Sequence, residues 1–355
     1  MSDLHISSAD DFIIKNAIAI AHSCKSIINT CNKVVVVVSG DIIDKGKVAN
    51  YSLAEKFFND LKTELQKEAS LDGFDYVFVP GNHDINFNID DPVRPVIIDT
   101  IKNRDVVEEE DFIRICLKPQ KDFWDFVAKL NGFPISPCVS YSKTIAVNDR
   151  CNLIFHCYNT ALMSTINEQP QSLLLPENFF LYNNAIDDTR KDVVISVFHH
   201  KTGWLSTRTA NNNQRTFEEH IEHTSNVLMC GHEHQRGIKV ISNLENIDKI
   251  LYLESNSLQQ GKEQSFMVSV LDDETEEMML SPYEIVLDSD GSSYQDEKTP
   301  QTIMFKKHSL SFTPTHNDFL SRLDAPIQHP VKKNLTLDDI YVYPDLEPMS
   351  CLDNL

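Results

Sequence analysis

The sequence predicts an α/β fold, and three observations carry that expectation. Apolar residues recur at helical spacing over 11–31 and again over 52–68. A short β-branched or aromatic run follows each helix, over 34–38 and 76–79. Further strand-like runs then fill the second half. Helix and strand in alternation is the pattern of parallel strands joined by crossover helices. Ligands of such sheets collect in the loops at the carboxyl ends of the strands.

The first helix rests on Ile14, Ala17, Ile18, Ala21 and Ile28, with Asp10 or Asp11 placed to cap its start. Val34–Val38 is an unbroken β-branched run ending in Ser39-Gly40, which predicts a strand buried on both faces with a glycine turn after it. The helix over 52–68 puts Leu53, Phe57, Leu61 and Leu65 on one face, and Ser52 with Glu55 has the spacing of a capping box. Tyr76–Val79 predicts the next strand, stopped by Pro80-Gly81. Residues 87–140 carry Pro92, Pro95, Pro119, an acidic run over 108–111 and the aromatics Phe123, Trp124 and Phe126. They predict a mostly helical insertion whose aromatic rings pack. Strand-like runs resume at 151–158, 193–198, 227–230, 238–241, 250–253, 266–271 and 283–287. From about 288 the composition turns to Ser, Asp, Gly, Gln, Lys and Pro, and periodicity survives only around 302–305 and 337–343.

Composition narrows the function. With 41% hydrophobic and 24% charged residues the 355-residue chain has enough apolar material for a large core, which excludes collagen-like and wholly disordered classes. Fifty-three acidic against 32 basic residues give a net charge of −21, which argues against electrostatic coating of long duplex DNA. No window approaches the ~18 apolar residues of a membrane span, and the N-terminus lacks the basic and apolar regions of a secretory signal. The expectation is a cytoplasmic protein without a membrane partner. The eight cysteines form no C-x-x-C pair and read as reduced packing residues.

Five short clusters carry chemistry: Asp3-x-His5, Gly40-Asp41-x-x-Asp44-x-Gly46, Gly81-Asn82-His83-Asp84, His199-His200 and Gly231-His232-x-His234. Four directly follow a predicted strand, so their side chains can converge on one rim of a sheet. Oxygen and imidazole donors without cysteine suit manganese, iron, zinc or magnesium, not a thiolate zinc site. Asp3, His5, Asp41, Asn82, His199, His232 and His234 are more donors than one ion needs. They suffice for two ions if one carboxylate bridges them, the arrangement used for displacement at phosphorus. Each cluster alone is an ordinary turn; all of them in order are not.

That ordered set resembles the calcineurin-like metallophosphoesterase family, with signatures spanning 3–234. The resemblance implies a four-layer αββα sandwich of two mixed sheets over 1–287, with 87–140 as an insertion that caps the site. The remainder, 288–355, would be a C-terminal extension. It implies that Asp3, His5 and His234 hold one metal, that Asn82, His199 and His232 hold the other, and that Asp41 bridges them. Manganese is the first expectation, with iron, zinc or magnesium as alternatives. A hydroxide shared by the ions would be the nucleophile, His83 would face the scissile phosphate as donor or general acid, and Asp84 would hold the His83 imidazole. Asp44 and the glycines would shape turns. The implied activity is phosphoester hydrolysis, favouring phosphodiesters in nucleotides or single-stranded nucleic acid. A phosphomonoesterase, a protein phosphatase or a non-catalytic scaffold are the alternatives.

Other polar groups are less specific. Lys201, Arg208 and Arg215 could steer an anion or be ordinary surface charge, and His220 with His223 and Glu219 reads first as a solvated helix face. Only Met1 and Ser2 precede Asp3, so the first strand is expected to be a stub, or the natural start lies upstream. The run over 335–344 is similar to the linker of large bacterial defence ATPases, which implies further C-terminal domains in a longer protein. A homo-oligomer stays open.

Overall fold

The computed structural model describes residues 1–304 except 69–70, 90–91, 105–109, 183–191, 209–211, 243–248, 260–263, 276, 288–292 and 298–300. The predicted run over 335–344 lies outside the described residues. The chain opens on an extended segment, residues 1–6, followed by three short helices: α1 (Phe12–Lys15), α2 (Ala17–Ser23) and α3 (Lys25–Ile28). The sequence predicts one helix here, and the structure breaks it at Asn16 and Cys24. Asn16 Nδ2 donates to Phe12 O at 2.7 Å and Ser23 Oγ donates to Ile20 O at 2.7 Å, so side chains satisfy carbonyls that an unbroken helix would use. The apolar face survives the breaks, since Ile13, Ala17, Ile20, Ala21, Ile27 and Ile28 are buried together.

Strand β1 (Lys33–Val38) contains the valine run, and helix α4 (Tyr51–Glu68) follows the Asp41 loop. The capping box does not form. A short three-ten turn over Val48–Asn50 leads into α4, and Ser52 Oγ donates backwards to Ala49 O at 2.8 Å. Strand β2 (Gly73–Phe78) pairs with β1 in parallel. The insertion is helical as expected: α5 (Arg94–Arg104), α6 (Glu110–Leu117) and α7 (Lys121–Asn131). Its helices belong to two cores. Phe123, Trp124 and Phe126 of α7 pack with α4 and β2, whereas Ile97, Ile98, Ile113 and Cys116 pack on the other side of the molecule.

The second half builds strands β3 (Ser140–Ala146), β4 (Asn152–Tyr158), β5 (Val193–Phe198), helix α8 (Asn213–Thr224), β6 (Val227–Cys230), β7 (Gly237–Ser242) and β8 (Lys249–Glu254). They form a six-stranded sheet in the order β3-β4-β5-β6-β8-β7. The four central strands are parallel and the two outer ones antiparallel, which makes the sheet mixed. Strand β3 has no signal in the sequence, because its alternating Ser, Lys and Thr leave only Ile145 fully buried.

Strands β9 (Gln264–Asp272) and β10 (Glu277–Leu287) form an antiparallel hairpin. Pairing runs past 287, where the composition shifts: β11 (Ser293–Glu297) and β12 (Gln301–Met304) both pair with the far edge of β10. Pro282 sits between the two registers, where no ladder partner needs its missing N–H.

The six-stranded sheet thus faces the β1–β2 pair and the separate sheet of β9–β12 across a core of Val77, Val79, Phe155, Cys157, Ile195, Val197, Leu253 and Leu280. Helices α1–α4 and α7 cover one outer face; α5, α6 and α8 cover the other. This is the four-layer arrangement expected. The carboxyl ends of β1, β2, β5 and β6 lead into the Asp41, Asn82, His199 and His232 loops respectively. Residues 1–6 lie parallel beside 37–43: Ser39 N donates to Met1 O, Asp3 N to Gly40 O and Ile6 N to Ile42 O. That stub brings Asp3 and His5 to the same rim.

Candidate metal centre

Backbone conformation aims the donors. Asp3, His5, Asp41, His232 and His234 all have positive φ, between 44° and 76°. Non-glycine residues there are strained, and such strain persists where surrounding structure enforces it, commonly at functional sites. Gly40, at φ +99°, has no room for a side chain, because a Cβ would overlap the His199 ring. At Gly81 a Cβ would overlap Asp41 Oδ1.

The donors fall into two groups joined by Asp41. In the first, His5 Nε2 lies 3.1 Å from His234 Nε2, and Asp3 Oδ1 lies 3.3 Å from His234 Nε2 and 3.8 Å from His5 Nε2. In the second, His199 Nε2 lies 3.2 Å from both Asn82 Oδ1 and His232 Nδ1. Asp41 Oδ2 stands between them, 3.4 Å from His199 Nε2 and 3.9 Å from His5 Nε2. Donors bound at ~2.1 Å around one octahedral ion would be separated by about 3 Å, so this spacing fits ligation. All seven residues named from the sequence meet here.

Two further observations favour cations. Asp3 Oδ1 and His5 Nδ1 are buried with no hydrogen-bond partner among the described residues, a costly state for a carboxylate oxygen unless a cation joins it. Supporting bonds orient the other donors. The Nδ1–H of His199 donates to Ser39 O at 2.7 Å, turning Nε2 inward as the free donor. Asp3 Oδ2 accepts from His232 N at 3.1 Å and Asp41 Oδ1 from His83 N at 2.8 Å, leaving each acid one oxygen for the centre. The set is oxygen and imidazole without thiolate, so manganese, iron or zinc would be held by Asp3, His5, His234 and Asp41 on one side and Asp41, Asn82, His199 and His232 on the other.

Charge follows the same geometry. Burial lowers the pKa of His5, and burial with the adjacent His200 and His199 rings holds His232 well below the imidazole range, so both are neutral donors at pH 7. Burial also works against charge on His199, but the Asp41 carboxylate outweighs it and lifts that pKa to about 10. The reciprocal effect holds Asp41 below the carboxylate range despite its burial. Without metal, His199 and Asp41 are a buried ion pair.

His83 stands at the edge of the centre, its side chain 26% exposed and its ring 4.5 Å from that of His5. Asp84 does not hold it, which corrects the sequence expectation. Asp84 Oδ1 accepts from Ile42 N, Ile43 N and Tyr51 OH, and Oδ2 accepts from Gly81 N. Its carboxyl therefore ties the Asp41 loop to the Asn82 loop. Asp44 takes the predicted role, with Oδ1 3.5 Å from His83 Nδ1. Burial and the neighbouring Asp41 push Asp84 up to about 7. Asp84→Asn would set an amide NH₂ against donors on one side of the group, and an unmatched buried donor costs about 1–3 kcal/mol. We expect that variant to lose a few degrees in thermal melting while metal content per folded chain is unchanged; an unaltered melt would mean that Asp84 does not join the loops.

The remaining sequence candidates separate cleanly. His200 is fully buried but turns Nε2 to Glu168 and Nδ1 to Thr160, leaving His199 as the ligand at Asp41. Lys201 pairs with the buried Glu254 and Arg215 with Glu219, so neither presents a free charge, while Arg208 is exposed. His220 corrects the expectation of a solvated face: it is buried, bonding Tyr158 OH at 3.0 Å under Phe180, and only His223, whose Nδ1 bonds Glu219 O, lies exposed with Glu219. Sequence reasoning missed several supports. Trp204 meets the His232 ring edge-on at 4.3 Å and donates its Nε1–H to Glu233. Ser257 Oγ donates to Asp3 O and Gln259 Nε2 to His5 O. None of these carries a spacing signal, because each acts from a loop distant in sequence.

Among solved structures, Vps29 from Chaetomium thermophilum is similar at 10% identity and a TM-score of 0.33, over 86% of this chain and 95% of its own. A protein from Staphylococcus aureus described as a 5′-nucleotidase, in complex with α-ketoglutarate, is similar at 12% identity and a TM-score of 0.38. That match covers 91% of this chain and 58% of the other, so this chain spans little more than half of that protein. No curated protein sequence matches. The profile of the calcineurin-like phosphoesterases matches residues 1–236, a stretch that takes in every donor of the centre. By that match the chain belongs to the calcineurin-like phosphoesterase family.

Proposed function

We propose that the protein hydrolyses phosphodiesters, in nucleotides or single-stranded nucleic acid, at a centre of two divalent ions. The observation that carries this reading is Asp41 Oδ2, within 4 Å of a donor in each group and placed to be shared. Bound there, two ions would neutralise phosphoryl charge and supply hydroxide near neutral pH. The chain's own residues do the rest. Lys45 N donates to His83 Nδ1 at 3.4 Å, which leaves the ring proton on Nε2. That proton is available for a phosphoryl oxygen or for the departing alkoxide.

A donor at the leaving group matters most for alkoxides, which are poor leaving groups, and this favours diesters of nucleosides. The net charge of −21 favours short or single-stranded substrates over long duplexes. The test loads the protein with manganese and compares bis(p-nitrophenyl) phosphate with p-nitrophenyl phosphate. We expect kcat/KM for the diester to exceed that for the monoester at least about tenfold. The reverse preference would assign the site to phosphomonoesters, and turnover of neither would leave a scaffold.

A further inference from the structure

The two tryptophans of the chain are placed differently. Trp124 is buried at 1% exposure in the helical layer. Trp204 stays partly exposed, in the short turn over Thr202–Trp204 that follows the His199 loop. It leans on the core that includes Phe217 of α8, yet it reaches the metal centre. Its ring meets that of His232 edge-on at 4.3 Å and lies 5.9 Å from that of His200.

Three bonds hold Trp204 in place. Its N donates to Lys201 O at 2.9 Å, its O accepts from Leu173 N at 3.0 Å, and its Nε1–H donates to Glu233 Oε1 at 2.7 Å. Glu233 stands between His232 and His234, so the indole is tied to the motif that supplies a donor to each group. The space before it is open, since a Cβ on Gly203 would meet nothing within 4 Å. A fixed, partly exposed indole whose N–H is already bonded offers a flat apolar surface at low entropic cost.

The centre has two ends. His83 meets the His5 ring at one and Trp204 meets the His232 ring at the other, with Asp41 between the two donor groups. A phosphodiester likewise has one substituent that departs and one that stays. With His83 as proton donor to the departing oxygen, the group that stays lies toward Trp204. Carboxylates line that end, Glu233 on the indole and Glu168 on His200, and they disfavour a second anion there. An uncharged aromatic ring suits it, and stacking on tryptophan accepts any base.

We propose that Trp204 is the binding platform for the nucleobase of the retained nucleoside, so that the site cuts nucleoside phosphodiesters and leaves the phosphate on the stacked nucleoside. The inference rests on the phosphodiesterase reading above and names the substrate group on one side of it. In the step, a water oxygen bonds to phosphorus and the bond from phosphorus to the departing oxygen breaks. His83 protonates that oxygen, and a proton released from the water replaces the one His83 gives.

Two esters with the same leaving group test it: thymidine 5′-(p-nitrophenyl phosphate) and methyl p-nitrophenyl phosphate, hydrolysed by the manganese-loaded protein. They differ only in the group retained. For the thymidine ester kcat/KM should exceed that for the methyl ester at least about tenfold, the gain expected from one stacked base. Trp204→Leu should bring the ratio to within about twofold, and Trp204→Phe should keep most of the preference. A ratio near one in the wild type, or a preference that survives Trp204→Leu, would overturn the proposal. Binding decides without turnover. Thymidine 5′-phosphate should quench tryptophan fluorescence and bind at least about tenfold more tightly than ribose 5-phosphate, the buried Trp124 being out of its reach. Equal affinities without quenching would overturn the stacking even where the methyl ester is cleaved. Tight, quenching nucleotide binding with cleavage of neither ester would refute the hydrolytic reading and keep Trp204 as a nucleotide-binding residue.

Discussion

Asp41→Ala should abolish both metal binding and turnover. Phosphodiester hydrolysis by the manganese-loaded variant should fall at least about a thousandfold, and metal content should drop below one ion per chain in elemental analysis. Asp41 touches everything that assembles the centre: Oδ2 faces His199 and His5, and Oδ1 receives the backbone N–H of His83. Removing one carboxylate therefore weakens both donor groups and loosens the loop that carries Asn82 and His83. Asn82→Ala touches only the His199 group and should leave the Asp3, His5 and His234 group able to bind. Retained activity in Asp41→Ala would refute the shared-carboxylate assignment.

The same carboxylate sets how the metal-free protein responds to pH. His199 is lifted to about 10 and Asp84 to about 7 in the fold, each above its ordinary value and each partly by the charge of Asp41. A group whose folded pKa is raised contributes stability that is complete below its unfolded pKa and is lost as pH rises through the folded one. Asp84 thus loses its contribution between about 4 and about 7, and His199 between about 6.5 and about 10. Asp41 itself is depressed, so its contribution is present above about 4 and is lost only in stronger acid. The chelated protein should therefore melt at progressively lower temperature from pH 5 to pH 10, and Asp41→Ala should flatten that decline. Added metal should reverse the slope, because ligands bind it deprotonated.

Much of this site is legible in the sequence because its donors cluster in five short motifs, four of them directly after strands whose valines and isoleucines announce themselves. The seven ligand positions need only the rule that loops at strand ends converge. What is not legible is anything set by a single contact across the fold. Asp84 lies next to His83 in sequence, yet the turn points its carboxyl back at Ile42 and Gly81, and Asp44 from the other loop reaches the imidazole. Strand β3 is hidden because an edge strand exposes one face and keeps few apolar residues. The split of the first helix turns on two side-chain bonds that no periodicity reports. The pairing of β11 onto β10 escapes because its sequence is polar, whereas β12 coincides with the run around 302–305 that the sequence does mark.

His83→Ala separates chemistry from assembly, and its effect should depend on the leaving group. The His83 backbone N–H, which bonds Asp41, survives the substitution. Two ions per chain should therefore still bind. A general acid that protonates the departing oxygen contributes about 10²–10⁴-fold, and its worth grows with the basicity of that oxygen. For a p-nitrophenyl diester, whose leaving group is stable as the anion, we expect a loss of about tenfold in kcat. For a dinucleotide or cyclic nucleotide, which releases an alkoxide, we expect about a thousandfold. Asp44→Asn should lie between wild type and His83→Ala, because the ring loses the carboxylate that stands 3.5 Å from Nδ1. Equal losses for both esters would reduce His83 to electrostatic contact with the phosphate. A loss of metal on His83→Ala would return it to the ligand set, which its 4.5 Å ring contact with His5 makes the competing geometry.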